Sequence, residues 1–397
     1  MESTSVSRTV QRIQASMAPF LEVVLNPANA RMRAPEACDF LAGNPQDPIV
    51  PGYVEALQRW SVPRRRDWFA YGMPDATATA AAAESLTRRL ALPFGPGDIV
   101  LARGASGALG LALRAVVDPG DEVIFVSPPW FFYEAMILSA GGEPVRVRVD
   151  EETFDLDLAA IEAAVTPRTR AIVVNTPCNP TGKIYPDETL AALARVLSDA
   201  SERVGHVIHL ISDEAYSPVI FDGHRFATPA AHYPHSLLCH TYSKQLLAPG
   251  QRLGWLAMAP SMPDKNTMRL ALMTCAISSA IGAPDSIMQY ALPEIDALSI
   301  DIGRLQRRRD RMVDALREMG YELHVPEATF YLLPRSPVPD SRAFAARLAQ
   351  RDVFILPGTA VEMPAHFRIS LTATDDMIDR ALPVFAGVRE EILIAGS

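Results

Sequence analysis

SLLCHTYSKQLLAPGQRLGW, residues 236–255, starts as a short apolar run, Leu237 to Cys239, and ends it in a polar cluster, His240 to Lys244. A loop with Pro249 and Gly250 follows, then Arg252, Gly254 and Trp255. The pattern reads as a strand whose end carries a lysine beside two hydroxyls, Thr241 and Ser243, with an arginine eight positions on. The amine can condense with an aldehyde. The hydroxyls and guanidinium can hold a phosphate. Taken alone, the stretch is better read as a solvated lysine in a polar loop, so the rest of the chain must decide.

Upstream, strands alternate with helices. The apolar runs Ile99–Ala102, Val123–Val126, Pro144–Val149, Ala171–Asn175 and Val207–Ile211 read as strands, joined by Leu237–Cys239 and Trp255–Met258. Helices are expected from Gly104 to Val117, over Leu158–Ala164 and over residues 187–203. Short apolar strands separated by helices imply an α/β fold with a buried, mostly parallel, seven-stranded-type sheet flanked by helices. Before it, residues 4–25, 51–60 and 76–92 read as helices. After about residue 260 a long helix is expected over Ile300–Met319, with Arg307, Arg308 and Arg309 on its solvated face. Strands near 321–325, 329–333, 353–356 and 366–371 would build a smaller α+β unit. The expected division is an N-terminal arm over 1–45, a large domain over 46–298 and a small C-terminal domain over 299–397.

Composition narrows the class. At 397 residues with nearly half of them apolar, the chain can bury a large core. A net charge of −9 argues against nucleic acid or an anionic membrane as the main partner. The four cysteines lie far apart, with no CxxC, which fits neither a disulfide framework nor a zinc site; no metal is expected. The N-terminal stretch has no apolar core of a signal peptide, and no run reaches the roughly 18–20 apolar residues of a membrane helix. A cytoplasmic protein is the expectation.

Four expected strands end in chemistry, and in a parallel sheet ligands bind at those ends. Gly104-Ala105-Ser106-Gly107-Ala108 opens a helix; its free amides and the Ser106 hydroxyl suit an anion, although an ordinary tight turn would read the same way. Its spacing is not GxGxxG. It approaches the serine-hydrolase elbow GxSxG, but Ala108 takes the last glycine's place. Trp130, after two prolines, is either a core residue or a flat face for a ring. Asn179 lies in NTPCNPTG, residues 175–182, and could donate to a phenolate oxygen. Asp213 ends an apolar run; it is a helix cap or a buried carboxylate in need of a cation. A protonated pyridine nitrogen would be such a cation, and Tyr216 could reach the ring's oxygen. Pyridoxal 5′-phosphate needs the lysine, the phosphate ligands and this ring partner together.

The ordered set GASGA, PPW, NPTG, DEAY, SK and RxGW resembles the class I/II aminotransferases of pyridoxal-phosphate fold type I, over roughly residues 38–375. The resemblance implies that Lys244 holds the cofactor and moves the proton, that Asp213 pairs with the ring nitrogen and that Tyr216 and Asn179 meet the ring oxygen. It implies stacking by Trp130 and a phosphate cup of Ala105, Ser106, Thr241, Ser243 and Arg252. Tyr71 would reach the phosphate of a neighbouring subunit in a homodimer. Arg368, in PAHFRISLTA, would clamp the substrate carboxylate, with Gly43 and Asn44 contacting the substrate. The implied reaction is transamination between an α-amino acid and a 2-oxo acid. Elimination, replacement, cyclisation or oxidation on the same site are the alternatives. Two features depart from the family: Ala328 stands at a usual glycine, and Thr274–Gln289 contains no arginine for a distal carboxylate. An aminotransferase-like regulatory domain is disfavoured, because the residues before Gly43 leave no room for a DNA-binding module.

Overall fold

The computed structural model describes residues 5–279 and 282–396. The N-terminal part holds α1 (Arg8–Ser16), α2 (Ala18–Val24), β1 (Cys38–Asp39), α3 (Tyr53–Ser61) and α4 (Ala76–Leu90). The alternating part runs β2 (Ile99–Ala102), α5 (Gly104–Val116), β3 (Glu122–Ser127), α6 (Tyr133–Ala140), β4 (Glu143–Arg148) and α7 (Leu158–Ala164). It continues through β5 (Thr169–Asn175), α8 (Asp187–Val204), β6 (His209–Asp213), β7 (Ser236–Thr241), α9 (Tyr242–Gln245) and β8 (Gly254–Met258). The C-terminal part comprises α10 (Lys265–Ser278), α11 (Ser286–Ile295), α12 (Ile302–Glu318), β9 (Tyr331–Leu332) and α13 (Ser341–Ala349). It closes with β10 (Val353–Phe354), β11 (Leu356–Pro357), β12 (Phe367–Ser370) and α14 (Asp375–Gly396).

One seven-stranded sheet dominates, in the order β2-β8-β7-β6-β5-β3-β4. Its inner strands are largely apolar because both faces are covered, while the edge strand β4 turns Arg146 and Arg148 to solvent. Val123 and Phe125 of β3 enter one core, while Ile124 and Val126 enter another on the opposite face. The sheet is parallel except for β8, which runs antiparallel to both β2 and β7. Gly254 permits that insertion: a Cβ there would lie 2.3 Å from the His240 carbonyl oxygen and 2.8 Å from the Gly104 Cα.

Local physics moves several expected boundaries. The helix expected over 4–25 is two helices. Pro19 has no N–H to bond back to Ala15, and the chain breaks at Met17. Residue 4 lies outside the described residues. The strand expected at Val207–Ile211 shifts to β6, because pairing runs from Ala171↔His209 to Asn175↔Asp213. Residues 321–325 form no strand. Instead of a ladder, Arg335 donates one backbone bond to the Glu322 carbonyl, and Tyr321 buries its ring with the hydroxyl on Phe385 O.

The basic run of α12 is the largest correction. Only Arg307 is exposed; Arg308 and Arg309 are buried. Arg308 donates to Asp47 (2.9 Å), Asp375 (2.9 Å) and the Leu371 carbonyl (3.0 Å). Arg309 is held by Asp222, Asp310 and the Pro326 carbonyl. Buried guanidinium groups persist only when so paired. Ala328 needs no glycine: the left-handed residue is its neighbour Thr329, at φ 72°, and the Ala328 N–H reaches Gly182 O at 3.1 Å.

In β5, β6 and β7 the register sets Asn175, Asp213 and Cys239 level at the strands' carboxyl ends. The candidate site is built there. No helix among the described residues is long and apolar enough to cross a membrane.

Candidate active site

A cavity of about 170 Å³ opens at these strand ends. Asp213 lies in its floor, buried, at the end of β6. Its Oδ2 accepts from the Tyr133 hydroxyl at 2.7 Å and its Oδ1 from the Ala215 N–H at 3.2 Å. Burial pushes the carboxyl's pKa up; the Tyr133 bond, the Ala215 bond and the Lys244 charge pull the other way. Burial and the Asp213 charge push the Tyr133 hydroxyl well above the usual phenol range, so it stays a donor. A buried carboxylate with neutral donors alone is incompletely compensated, and a ring N–H⁺ would complete it.

Lys244 sits on the short helix α9, immediately after β7, and lines the same cavity. Its Nζ lies 5.3 Å from the Tyr216 ring centre and 5.5 Å from that of Phe330. Trp130 lines the cavity half-buried, edge-on to Phe132 and Tyr133.

At one end the cavity has the chemistry of an anion cup. Helix α5 begins at Gly104 with no side-chain cap, leaving first-turn amides free. Gly104 is left-handed, at φ 72°, and a Cβ there would meet the Arg252 guanidinium at 2.8 Å. Arg252 donates to the Ser106 hydroxyl at 2.9 Å and to Pro249 O at 2.7 Å. Burial and the Arg103 charge hold Arg252 below its ordinary pKa, a positive excess that an anion would balance. Thr241 and Ser243, both buried, share a hydroxyl bond of 2.8 Å, and Ala105 completes the wall.

On the other side stands Arg368, buried in β12. It donates to Asn179 Oδ1 (2.9 Å) and Leu41 O (3.1 Å), and lies 4.0 Å over the Tyr331 ring. Its Nε is buried without a hydrogen-bond partner. A planar fork with a spare buried N–H suits a carboxylate. Asn179 is held by Asn175 Oδ1 on its backbone N–H (2.7 Å), so it links Arg368 to the cavity. Gly43 packs against the Tyr331 hydroxyl so closely that a Cβ would lie 2.3 Å from it. Asn44 is exposed beside Gly43, and Tyr71 stands fully exposed outside this chain's cavity.

Tyr331 and Tyr133 were not read as site residues from the sequence. Tyr331 accepts from the Tyr216 hydroxyl at 3.2 Å. Burial raises its pKa, but Arg368, Lys244 and the Tyr216 bond outweigh burial and leave it lowered. Its position in EATFY and the position of Tyr133 three residues after Trp130 were the available signals.

Glu214, next to Asp213, is fully buried and accepts from Ser212 (3.1 Å) and Thr228 (2.7 Å); its Oε2 has no partner. Burial pushes its pKa up to about 7 against those donors. A carboxyl raised on folding stabilises least above its folded pKa. Stability is full below the unfolded value, about 4.3, and falls as pH rises toward 7. Glu214→Gln should flatten the fall in melting temperature between pH 5 and pH 8, a gap of about 2–3 kcal/mol by linkage. Thermal melts across that range check it; an unchanged slope in the variant would clear Glu214 of the effect.

These residues fit pyridoxal phosphate: a lysine, a cup for its phosphate and a buried carboxylate awaiting a ring cation. A model of the family described as aminotransferase class I and II matches residues 36–385. A Thermus thermophilus protein named aspartate/prephenate aminotransferase is 32% identical over 393 residues, covering 95% of this chain and 98% of its own. Its namesake from Cereibacter sphaeroides is 32% identical over 86% of this chain and 88% of its own. Among solved structures, Thermus thermophilus aspartate aminotransferase with maleate matches at TM-score 0.83 and 30% identity, over 97% of this chain and 99% of that one. An aminotransferase from Eubacterium rectale matches at TM-score 0.85 and 25% identity, over 98% of this chain and 96% of that one. With a family model spanning most of its length and relatives this similar end to end, the chain belongs to the class I and II aminotransferases, transaminases of fold type I that use pyridoxal 5′-phosphate.

Proposed function

We propose that transamination runs in the cavity between Lys244 and Arg368, from an α-amino acid to a 2-oxo acid. The observation that carries this reading is Asp213, buried with only neutral hydrogen-bond donors, in the same cavity as the Lys244 amine. Bound pyridoxal phosphate supplies an electron sink for the pair left when the Cα–H bond breaks, and stores the amino group between substrates. The chain's residues do the rest. The cup of Ala105, Ser106, Thr241, Ser243 and Arg252 holds the phosphate. The Asp213 carboxylate would keep a proton on the ring nitrogen. Tyr216 and Asn179 would meet the ring oxygen, and Trp130 would cover the ring face. Arg368, fixed by Asn179 and Leu41, takes the substrate carboxylate in a fork, with Gly43 and Asn44 alongside. That grip turns the Cα–H bond toward Lys244, whose free Nζ takes the proton and returns it.

The same proposal divides the chain into an arm over 1–45, a large domain over 46–298 and a small domain over 299–397. It assigns a homodimer in which Tyr71 reaches the partner's phosphate. Exposed Phe69, Tyr71 and Met73, with Leu270 and Ile277 on α10, support a covered face. A cytoplasmic setting suits four cysteines without a disulfide.

The test uses the loaded enzyme, an amino acid, and a 2-oxo acid present or withheld. Multiple turnovers are expected only with the 2-oxo acid, one new amino acid forming per oxo product. Sustained product with ammonia release in its absence would replace transamination by elimination.

A further inference from the structure

We infer that the substrate side chain is apolar and uncharged, and that Phe131, backed by Phe20, selects it. The inference rests on Arg368 as the carboxylate clamp. Trp130, Phe131 and Phe132 follow β3 in one stretch and form an aromatic wall. Trp130 lines the Lys244 cavity, and the Phe131 ring centre is 5.9 Å from the Arg368 Cζ. Phe20, from α2, stacks on Phe131 at 4.3 Å and 15°, and Phe132 closes edge-on at 4.6 Å. An amino acid spanning Lys244 and Arg368 would therefore run between Trp130 at the cavity and Phe131 beside Arg368.

Among the described residues, the cations near this wall are Arg368 and Lys244, which already have roles, and side chains that are ion-paired or turned to solvent. The charges that lower buried Tyr331 are those of Arg368 and Lys244. Arg12, in the helix before Phe20, is paired with Glu143. Glu134, just past Phe132, is paired with Arg146. Arg33, whose charge reaches Asp39, is exposed. Thr274–Gln289 contains no lysine or arginine, and the two positions in it outside the described residues are Ala280 and Ile281. A distal carboxylate would thus lose water against rings with no buried cation of this chain beside them, while an apolar group gains their contact.

Calorimetry on the pyridoxal-phosphate-loaded enzyme tests this with two carboxylates that lack an amine and cannot react, 3-phenylpropionate and succinate. The expected result is 3-phenylpropionate binding at least ~10-fold tighter, with Arg368→Ala abolishing it. Phe131→Ala should weaken it ~10-fold and leave succinate within about 2-fold; Phe20→Ala, on the outer ring, should weaken it less. Equal or tighter succinate binding to the wild type overturns the inference and leaves the Arg368 clamp standing. Binding of both that ignores Arg368→Ala, or of neither, overturns the clamp and the inference together. The wild-type comparison holds even if a variant fails to fold.

Discussion

Replacing Lys244 with alanine should abolish turnover, lowering kcat by at least ~10⁴-fold. Two losses combine. The amine that anchors the cofactor is gone, and so is the base that moves the Cα proton, a role alone worth about 10²–10⁴-fold. Among the described residues, no second lysine lines the cavity, and the rings that Nζ lies over, Tyr216 and Phe330, carry no amine. Two measurements check this. Steady-state turnover reports the loss of activity. Borohydride reduction followed by peptide mass mapping should fix pyridoxal phosphate to the peptide holding Lys244 in the wild type, and to no peptide in the variant. Retained turnover in the variant would sink the assignment.

Asp213→Ala should be the next most damaging change, with kcat/KM falling about 10²–10⁴-fold. That range is the ~3–5 kcal/mol cost of breaking a buried ion pair by removing one member. The residue tests a charge rather than a fold element, because Asp213 is the last rung of its strand's ladder and joins it through its backbone, which the substitution keeps. Tyr133 would lose its acceptor, adding a smaller cost. Asp213→Asn keeps shape and removes charge, so it should fall nearly as far, with melting temperature little changed. If the asparagine variant kept wild-type kcat/KM, the ring-nitrogen role would be wrong.

Much of the site was legible because parallel strands present their chemistry at their ends. Asn179, Asp213 and Lys244 each follow such an end closely, and each was placed in one cavity. The walls between them were not legible. Phe20 and Phe131 come from different parts of the chain, and nothing local in either stretch announces their stacking. Likewise, Arg308 and Arg309 were expected on a solvated face because runs of arginine are ordinarily hydrated. Their partners Asp47, Asp222 and Asp375 are remote in sequence and meet them only on folding. The strand expected over 321–325 failed for a related reason: alternation prepares a segment for a sheet, but a ladder needs a neighbouring edge.

The burial of Arg308 makes the Arg368 end of the site a single machined part. Asp47 lies four residues past Gly43, and Leu371 three past Arg368. One guanidinium clasps both, and Ser370 N–H bolts onto Phe40 O at 2.8 Å besides. The segments around Gly43 and Arg368 are mounted on one block, so neither can be displaced without carrying the other.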